Sequence, residues 1–126
     1  MEPLIAALRD ADHDVRWRAA WALGQTWDAQ AEGPCIRALD DDDANVRWSA
    51  AEGLGILKDE NAVAPLINLL NNPGEEIMLR LVAANALGKI GSFKAEAALQ
   101  QVILRDDFVP IHETARTALE RIKKRE

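Results

Sequence analysis

An all-α solenoid of about four stacked helical hairpins is the fold this sequence predicts, on two recurrences and one absence. The ten residues VRWRAAWALG (Val15 to Gly24) return as VRWSAAEGLG (Val46 to Gly55), as LRLVAANALG (Leu79 to Gly88) and, weakened, as IHETARTALE from Ile111. The intervals between copies are 31, 33 and 32 residues. Each copy follows a second recurring piece: Pro3-Leu4-Ile5 with Leu8, Pro34-Cys35-Ile36 with Leu39, Pro65-Leu66-Ile67 with Leu70, and a degraded Ala98-Leu99 with Ile103. Apolar–polar alternation of period two is absent, so strands are not expected. Chains that repeat at such a period stack small units into a quasi-one-dimensional array, and such arrays usually work as binding surfaces.

Taken in order, hairpins are expected at about residues 3–27, 34–58, 65–91 and 96–123, in a single repeat domain over 1–126. The first helix of each unit carries Pro3, Pro34 or Pro65, which must lie in or near a first turn, where the missing amide costs nothing. The second helix of each unit places Val15, Ala19, Ala22, Leu23 and Thr26 on one face, with Val46, Ala50, Gly53, Leu54 and Leu57 matching in unit two. Leu79, Ala83, Ala86, Leu87 and Ile90 match in unit three. Asp12 and Asp43 stand where a side-chain oxygen can cap the free amides of a first turn. Ala20, Ala51 and Ala84 lie on the flank, where a small side chain admits a close neighbour. Gly24, Gly55 and Gly88 come near the helix ends, where a tight exit toward the next unit is expected. Asn71-Asn72-Pro73-Gly74 reads as the turn between the helices of unit three. The units should stack into a short right-handed solenoid, first helices outside and second helices lining the concave side.

The pattern D-x-x-V-R-x-x-A-A-x-A-L-G, followed by P-L-I-x-x-L in the next helix, is similar to the HEAT-like repeats first named for phycobilisome lyases. Asp12 to Gly24 and Asp43 to Gly55 match it nearly residue for residue, and Leu79 to Gly88 matches its core. The last copy departs from it, with Arg116 in place of the flanking alanine and Glu120 in place of the glycine. Together with the basic tail Lys123-Lys124-Arg125, these changes look like a polar end cap. The resemblance implies an α-solenoid. It does not select a function, because such repeats serve scaffolds, lyase subunits and metalloenzymes alike.

Composition narrows the function classes. The net charge of −6 argues against a nucleic-acid or anionic-membrane surface. Cys35 is the only cysteine, so neither an intrachain disulfide nor a cysteine-rich zinc site is expected; it occupies a core-type position. No apolar run approaches the roughly 20 residues of a membrane span, and the start MEPLIAALRD lacks the marks of a signal peptide, so a cytoplasmic protein is expected.

Four of the six aromatic residues are Trp, and they break the repeat pattern. On the second helices, the face turned away from the hairpin core carries Trp17, Arg18, Trp21 and Gln25 in unit one. Trp48, Ser49, Glu52 and Ile56 match in unit two, and Leu81, Val82, Asn85 and Lys89 in unit three. Stacking should align Trp17, Trp48 and Leu81 in one row, forming a contiguous apolar band edged by Arg18, Glu52 and Lys89. Exposed contiguous apolar patches and Trp-rich surfaces mark interaction sites. Partner-binding residues are therefore expected at Trp17, Arg18, Trp21, Trp48, Glu52, Leu81 and Asn85, with Trp17 more buried than Trp21. The rival reading packs the same rings between adjacent repeats. Trp27, in an inter-repeat turn aligned with Lys58 and Gly91, is expected to cover the open first-repeat end. Arg16, Arg47 and Arg80 also recur, and each is expected to pair with carboxylates among Asp14, Asp40 to Asp43 and Glu76, tying units together.

No catalytic residues, cofactor or metal are expected. The spacing Asp10-x-Asp12-x-Asp14 resembles the start of a calcium loop, but Val15 stands where the loop needs glycine and Trp21 where it needs glutamate. Helix capping accounts for these aspartates. Deoxyhypusine hydroxylases, a family of similar repeats, bind two irons through His-Glu pairs, and the resemblance would put those ligands at Trp17-Arg18, Trp48-Ser49, Leu81-Val82 and Glu113-Thr114. The only His-Glu pair, His112-Glu113, is one residue out of register, and His13 lies in a loop. A non-catalytic module that binds a protein segment on a Trp-rich concave face is the function the sequence favours. Homodimerisation through the same band, or a lyase or chaperone subunit that handles a bilin-carrying protein, are the alternatives.

Overall fold

The computed structural model describes residues 2–105 and 108–125. Among these, eight α-helices alternate with loops and no strand occurs. They are α1 (Glu2–Ala7), α2 (His13–Gly24), α3 (Glu32–Ala38), α4 (Ala44–Leu57), α5 (Val63–Asn71), α6 (Ile77–Ile90), α7 (Glu96–Arg105) and α8 (Val109–Arg125). They form four hairpins, α1–α2 through α7–α8, as the repeat pattern predicts. Single 3-10 turns at Ala29–Ala31, Glu60–Ala62 and Phe93–Ala95 lead into α3, α5 and α7. Pro34 and Pro65 consequently sit at the third helical position, where the missing amide is one the helix cannot satisfy anyway.

The capping expectations hold. Asp12 accepts from the Asp14 amide, and Asp43 accepts from the amides of Asn45 and Val46. The exits follow a different rule from the one expected. Left-handed backbone occurs at Trp27 (φ 58°), Lys58 (φ 55°) and Gly91 (φ 75°), three aligned positions that close the inter-repeat turns. The next residue then caps the 3-10 turn: Asp28 accepts from Gln30, Asp59 from Asn61 and Ser92 from Lys94.

Gly24, Gly55 and Gly88 do come near the helix ends, Gly24 as the last residue of α2 and the other two within two residues of the ends of α4 and α6, but none has left-handed backbone. They stand where second helices touch. A Cβ at Gly24 would stand 2.4 Å from the Gly53 Cα, and one at Gly88 would stand 2.7 Å from the Ala118 Cα. Small residues here set the interhelix distance, joined by the fully buried Ala20, Ala51 and Ala84. Successive second helices press together, α2 on α4, α4 on α6 and α6 on α8, whereas successive first helices barely meet. Layers of unequal spacing curve toward the tighter one, so the second helices form the inner side. Between the layers runs one core, with Leu23, Leu54, Leu66, Leu79, Leu87, Leu99, Ile111 and Ile122 fully buried. Cys35 belongs to this core, and burial pushes its thiol up to about 11, so it stays protonated at neutral pH.

Arg16 and Arg47 tie repeats together, with partners partly different from those expected. Arg16 Nε donates to Asp41 Oδ2 at 3.1 Å and its Nη2 to Asp42 at 3.2 Å. Arg47 grips Glu75, not Glu76, with Nε and Nη2 at 2.8 and 2.9 Å, and its Nη1 donates to the Asp41 carbonyl at 2.8 Å. Asp41 thus joins two links of a chain running Arg16–Asp41–Arg47–Glu75 across three repeats. Arg80 is buried and donates to the Leu70 carbonyl at 2.7 Å. Asp14 serves elsewhere, as described below. At the far end, Lys123, Lys124 and Arg125 fill the last turn of α8, where cations complement the helix dipole, and Arg125 donates to the Ile90 carbonyl. Trp27 does not cover the first repeat: it is 71% exposed in its left-handed turn.

Candidate functional site

Small residues bring the second helices together, and larger side chains one turn away stand clear above the contact. Between α2 and α4 they enclose a hollow of about 380 Å³ lined by Trp17, Trp21, Asn45, Trp48, Ser49 and Glu52. Trp17 and Trp48 are half-buried and lean on the core, whereas Trp21 is 51% exposed. Packing and exposure are therefore not alternatives here: each of the first two rings has one side in the core and another on the hollow. Four of the seven expected residues meet at this place, namely Trp17, Trp21, Trp48 and Glu52.

Two polar contacts position Trp17. Its indole Nε1–H donates to Asp14 Oδ1 at 3.2 Å, and the Arg18 guanidinium lies over its ring, 5.6 Å from the centroid. Arg18 is not part of the hollow's lining, so it reaches the ring from outside.

Leu81 and Asn85 stand apart from these residues. They line a second hollow of about 430 Å³ between α6 and α8, with Met78, Val82, Glu113, Thr114 and Thr117. Asn85 Oδ1 accepts from Arg121 Nη1 at 3.4 Å, which ties it to α8. The single apolar band expected from the wheel is thus two hollows, one aromatic and one aliphatic and polar.

Asn45, Ser49, Met78, Val82, Glu113, Thr114 and Thr117 line the hollows but were not among the expected binding residues. Asn45 lies three and four residues before Trp48 and Ser49, so helical spacing marks it as their neighbour. Thr114 and Thr117 occupy the places of Val82 and Asn85 in the diverged fourth copy, where the repeat pattern is faint. A larger hollow of about 610 Å³ opens between α3 and α5, but its arginine, Arg47, is already held by Glu75.

Seven of the eight positions where the resemblance would put iron ligands fall on the two hollows, and they carry Trp17, Trp48, Ser49, Leu81, Val82, Glu113 and Thr114; the eighth, Arg18, lines neither. One carboxylate and no histidine do not make a di-iron ligand set. Asp12, His13 and Asp14 bring ligand atoms within 4.8 Å of one another, but all three are exposed. Asp12 is engaged by the Asp14 amide, Asp14 by Trp17, and His13 faces Asp14 and Asp43 at 3.5 and 3.3 Å. Among the described residues, no helix is long and apolar enough to cross a membrane.

Residues 1–79 match the family model of HEAT repeats. Human deoxyhypusine hydroxylase, solved with glycerol, is similar over 98% of this chain and 43% of its own, at 30% identity and a TM-score of 0.84. The complex of CpcE and CpcF of phycocyanin lyase from Nostoc is similar over 96% of this chain and 52% of that one, at 30% identity and a TM-score of 0.83. The Escherichia coli protein YibA aligns over 96% of this chain and 42% of its own, at 24% identity and a TM-score of 0.77, a likeness of fold alone. This chain spans about half the length of these structures. No curated protein matches it significantly.

Proposed function

The chain belongs to the HEAT-repeat family, and from that premise we propose that it acts as one repeat domain that binds a protein segment, without catalysis, on the inner face of its second helices. Trp17, Trp21 and Trp48 would anchor the segment, Arg18 and Glu52 would orient it at the rim, and Leu81 and Asn85 would receive its far end. The observation that carries this reading is Trp21, a 51% exposed indole on the same hollow as two further Trp side chains. Buried aromatic anchors dominate binding energy at protein interfaces. The hollows lie two helix spacings apart, roughly 16–20 Å, so an extended segment would place its two anchors about five or six residues apart.

Affinity capture with the wild-type chain and a Trp21→Ser variant tests this. Trp21 leans on the core less than its neighbours, so the variant should keep wild-type circular dichroism and melting. A protein retained by wild type and lost by the folded variant supports the face; identical capture by both refutes it. A second copy of the chain on this face would instead show as a concentration-dependent dimer in sedimentation.

The likeness to the phycocyanin lyase complex favours a second reading, a subunit that holds a bilin-carrying protein. A tetrapyrrole on the Trp-lined hollow would shift the visible absorption of free bilin on mixing, and an unchanged spectrum would remove this reading.

A further inference from the structure

We infer that the α2–α4 hollow is a cation-accepting aromatic cage, which takes an ammonium or guanidinium group carried by the bound segment. This rests on the inner face being the binding face and specifies what it recognises. Three indoles and one carboxylate, Glu52, line the hollow, and no Lys or Arg does. Ring faces carry negative potential, and Trp attracts cations most strongly of the aromatic residues. The hydrogen bond from the Trp17 Nε1–H to the Asp14 carboxylate adds electron density to that ring. Arg18 already lies over the Trp17 ring in the same type of contact. Its positive charge is set against Asp14, which is bonded to the same indole, and against the chain's net charge of −6. An apolar occupant would strip water from Glu52, Asn45 and Ser49 without replacing the lost interactions, whereas a cation keeps Glu52 paired. The α6–α8 hollow has a carboxylate, Glu113, but no aromatic ring, so the cage is confined to the first two repeats.

Choline and its neutral isostere 3,3-dimethylbutan-1-ol distinguish a cation site from an apolar one. Both would be titrated into nitrogen-15-labelled protein while the four indole N–H signals are followed. Choline should move the signals of Trp17, Trp21 and Trp48 with half-saturation at about fivefold lower concentration than the alcohol. Trp27, exposed and outside the hollow, should stay still. E52Q should weaken choline binding about threefold or more and leave the alcohol unchanged. E60Q, which removes an equal charge from an exposed site outside the hollow, should change neither. Equal response to choline and the alcohol, or equal loss in E52Q and E60Q, overturns the cage while leaving a protein-binding face intact. No response to either ligand also overturns it, and the face itself is judged independently by the capture comparison with Trp21→Ser.

Discussion

In the inner layer, α2, α4, α6 and α8 touch backbone to backbone through glycine and alanine; in the outer layer, α1, α3, α5 and α7 are held by their own hairpin partners and hardly by one another. The inner helices therefore have little freedom in spacing, and Trp17, Trp21 and Trp48, on the two helices that meet at Gly24 and Gly53, are carried at a set separation. The outer helices tolerate more, and their prolines and shorter lengths fit that. Tight backbone contact and open side-chain surface go together: where the helices meet through hydrogen atoms at Gly24 and Gly53, neighbouring positions can hold three indoles without filling the space between them.

Breaking the tight layer should give the largest effect. Gly24→Val drives a side chain into the Gly53 backbone, where even a Cβ would stand at 2.4 Å, and should cost about 3 kcal/mol or more. At about 4 °C per kcal/mol for a chain of this size, thermal melting would show it at once. If the variant melts like wild type, the two helices do not meet as described.

The links between repeats come next. Glu75→Gln removes the charge that Arg47 grips at a site where the Glu75 side chain is 5% exposed, and should cost about 2 kcal/mol at neutral pH. Burial pushes the Glu75 carboxyl up, but hydrogen bonds from Arg47 and the Glu76 amide outweigh it and bring the net value below the ordinary 4.5. The folded state thus binds this proton less readily than the unfolded chain. The stabilisation is whole above about pH 4.5 and is lost as pH falls through the lowered native value. Denaturant melts of wild type and variant should therefore differ at pH 7 and converge in acid; a difference independent of pH would show that the charge is not the cause.

Trp27→Gly sharpens the comparison at the turns that lead from an inner helix to the next outer one. A bulky residue at φ 58° is strained where Gly91 adopts the same turn freely. The substitution should stabilise by about 1 kcal/mol, read as a raised melting temperature, and a fall would mean that the indole packs usefully after all. Smallest is Gly33→Ala in the outer helix α3, where a Cβ meets only the Arg37 guanidinium at 3.5 Å. Helix propensity alone should then add about 0.5–1 kcal/mol. Destabilisation there would erase the contrast with Gly24.

Much of this was legible beforehand because it is local. The second-helix faces from Val46 to Leu54 and from Leu79 to Ile90, the caps Asp12 and Asp43, and the first-turn prolines follow from spacing and hydrogen bonding within a few residues. In unit one only Ala19 and Leu23 of the expected face are buried; Val15 is 37% exposed and Thr26 lies beyond the end of α2. The greater burial of Trp17 relative to Trp21 follows from its angle on the wheel. The sequence also showed that Trp27, Lys58 and Gly91 are equivalent, but not that all three are left-handed, because a Trp and a Lys give no sign of that backbone.

By itself the sequence determined the repeat, the all-α class, the pairing of helices into hairpins and the face on which Trp17, Trp21, Trp48 and Leu81 lie. Only the tertiary structure decided that Gly24 meets Gly53, that Arg47 reaches Glu75 and not Glu76, and that Trp48 closes a hollow with Trp17 while Leu81 closes another with Thr114. The physical reason is geometric. A periodic pattern sets the direction of a side chain around its own helix axis, but whether two side chains meet depends on the distance and roll between axes. Those are set by backbone contact between repeats, which no single helix encodes.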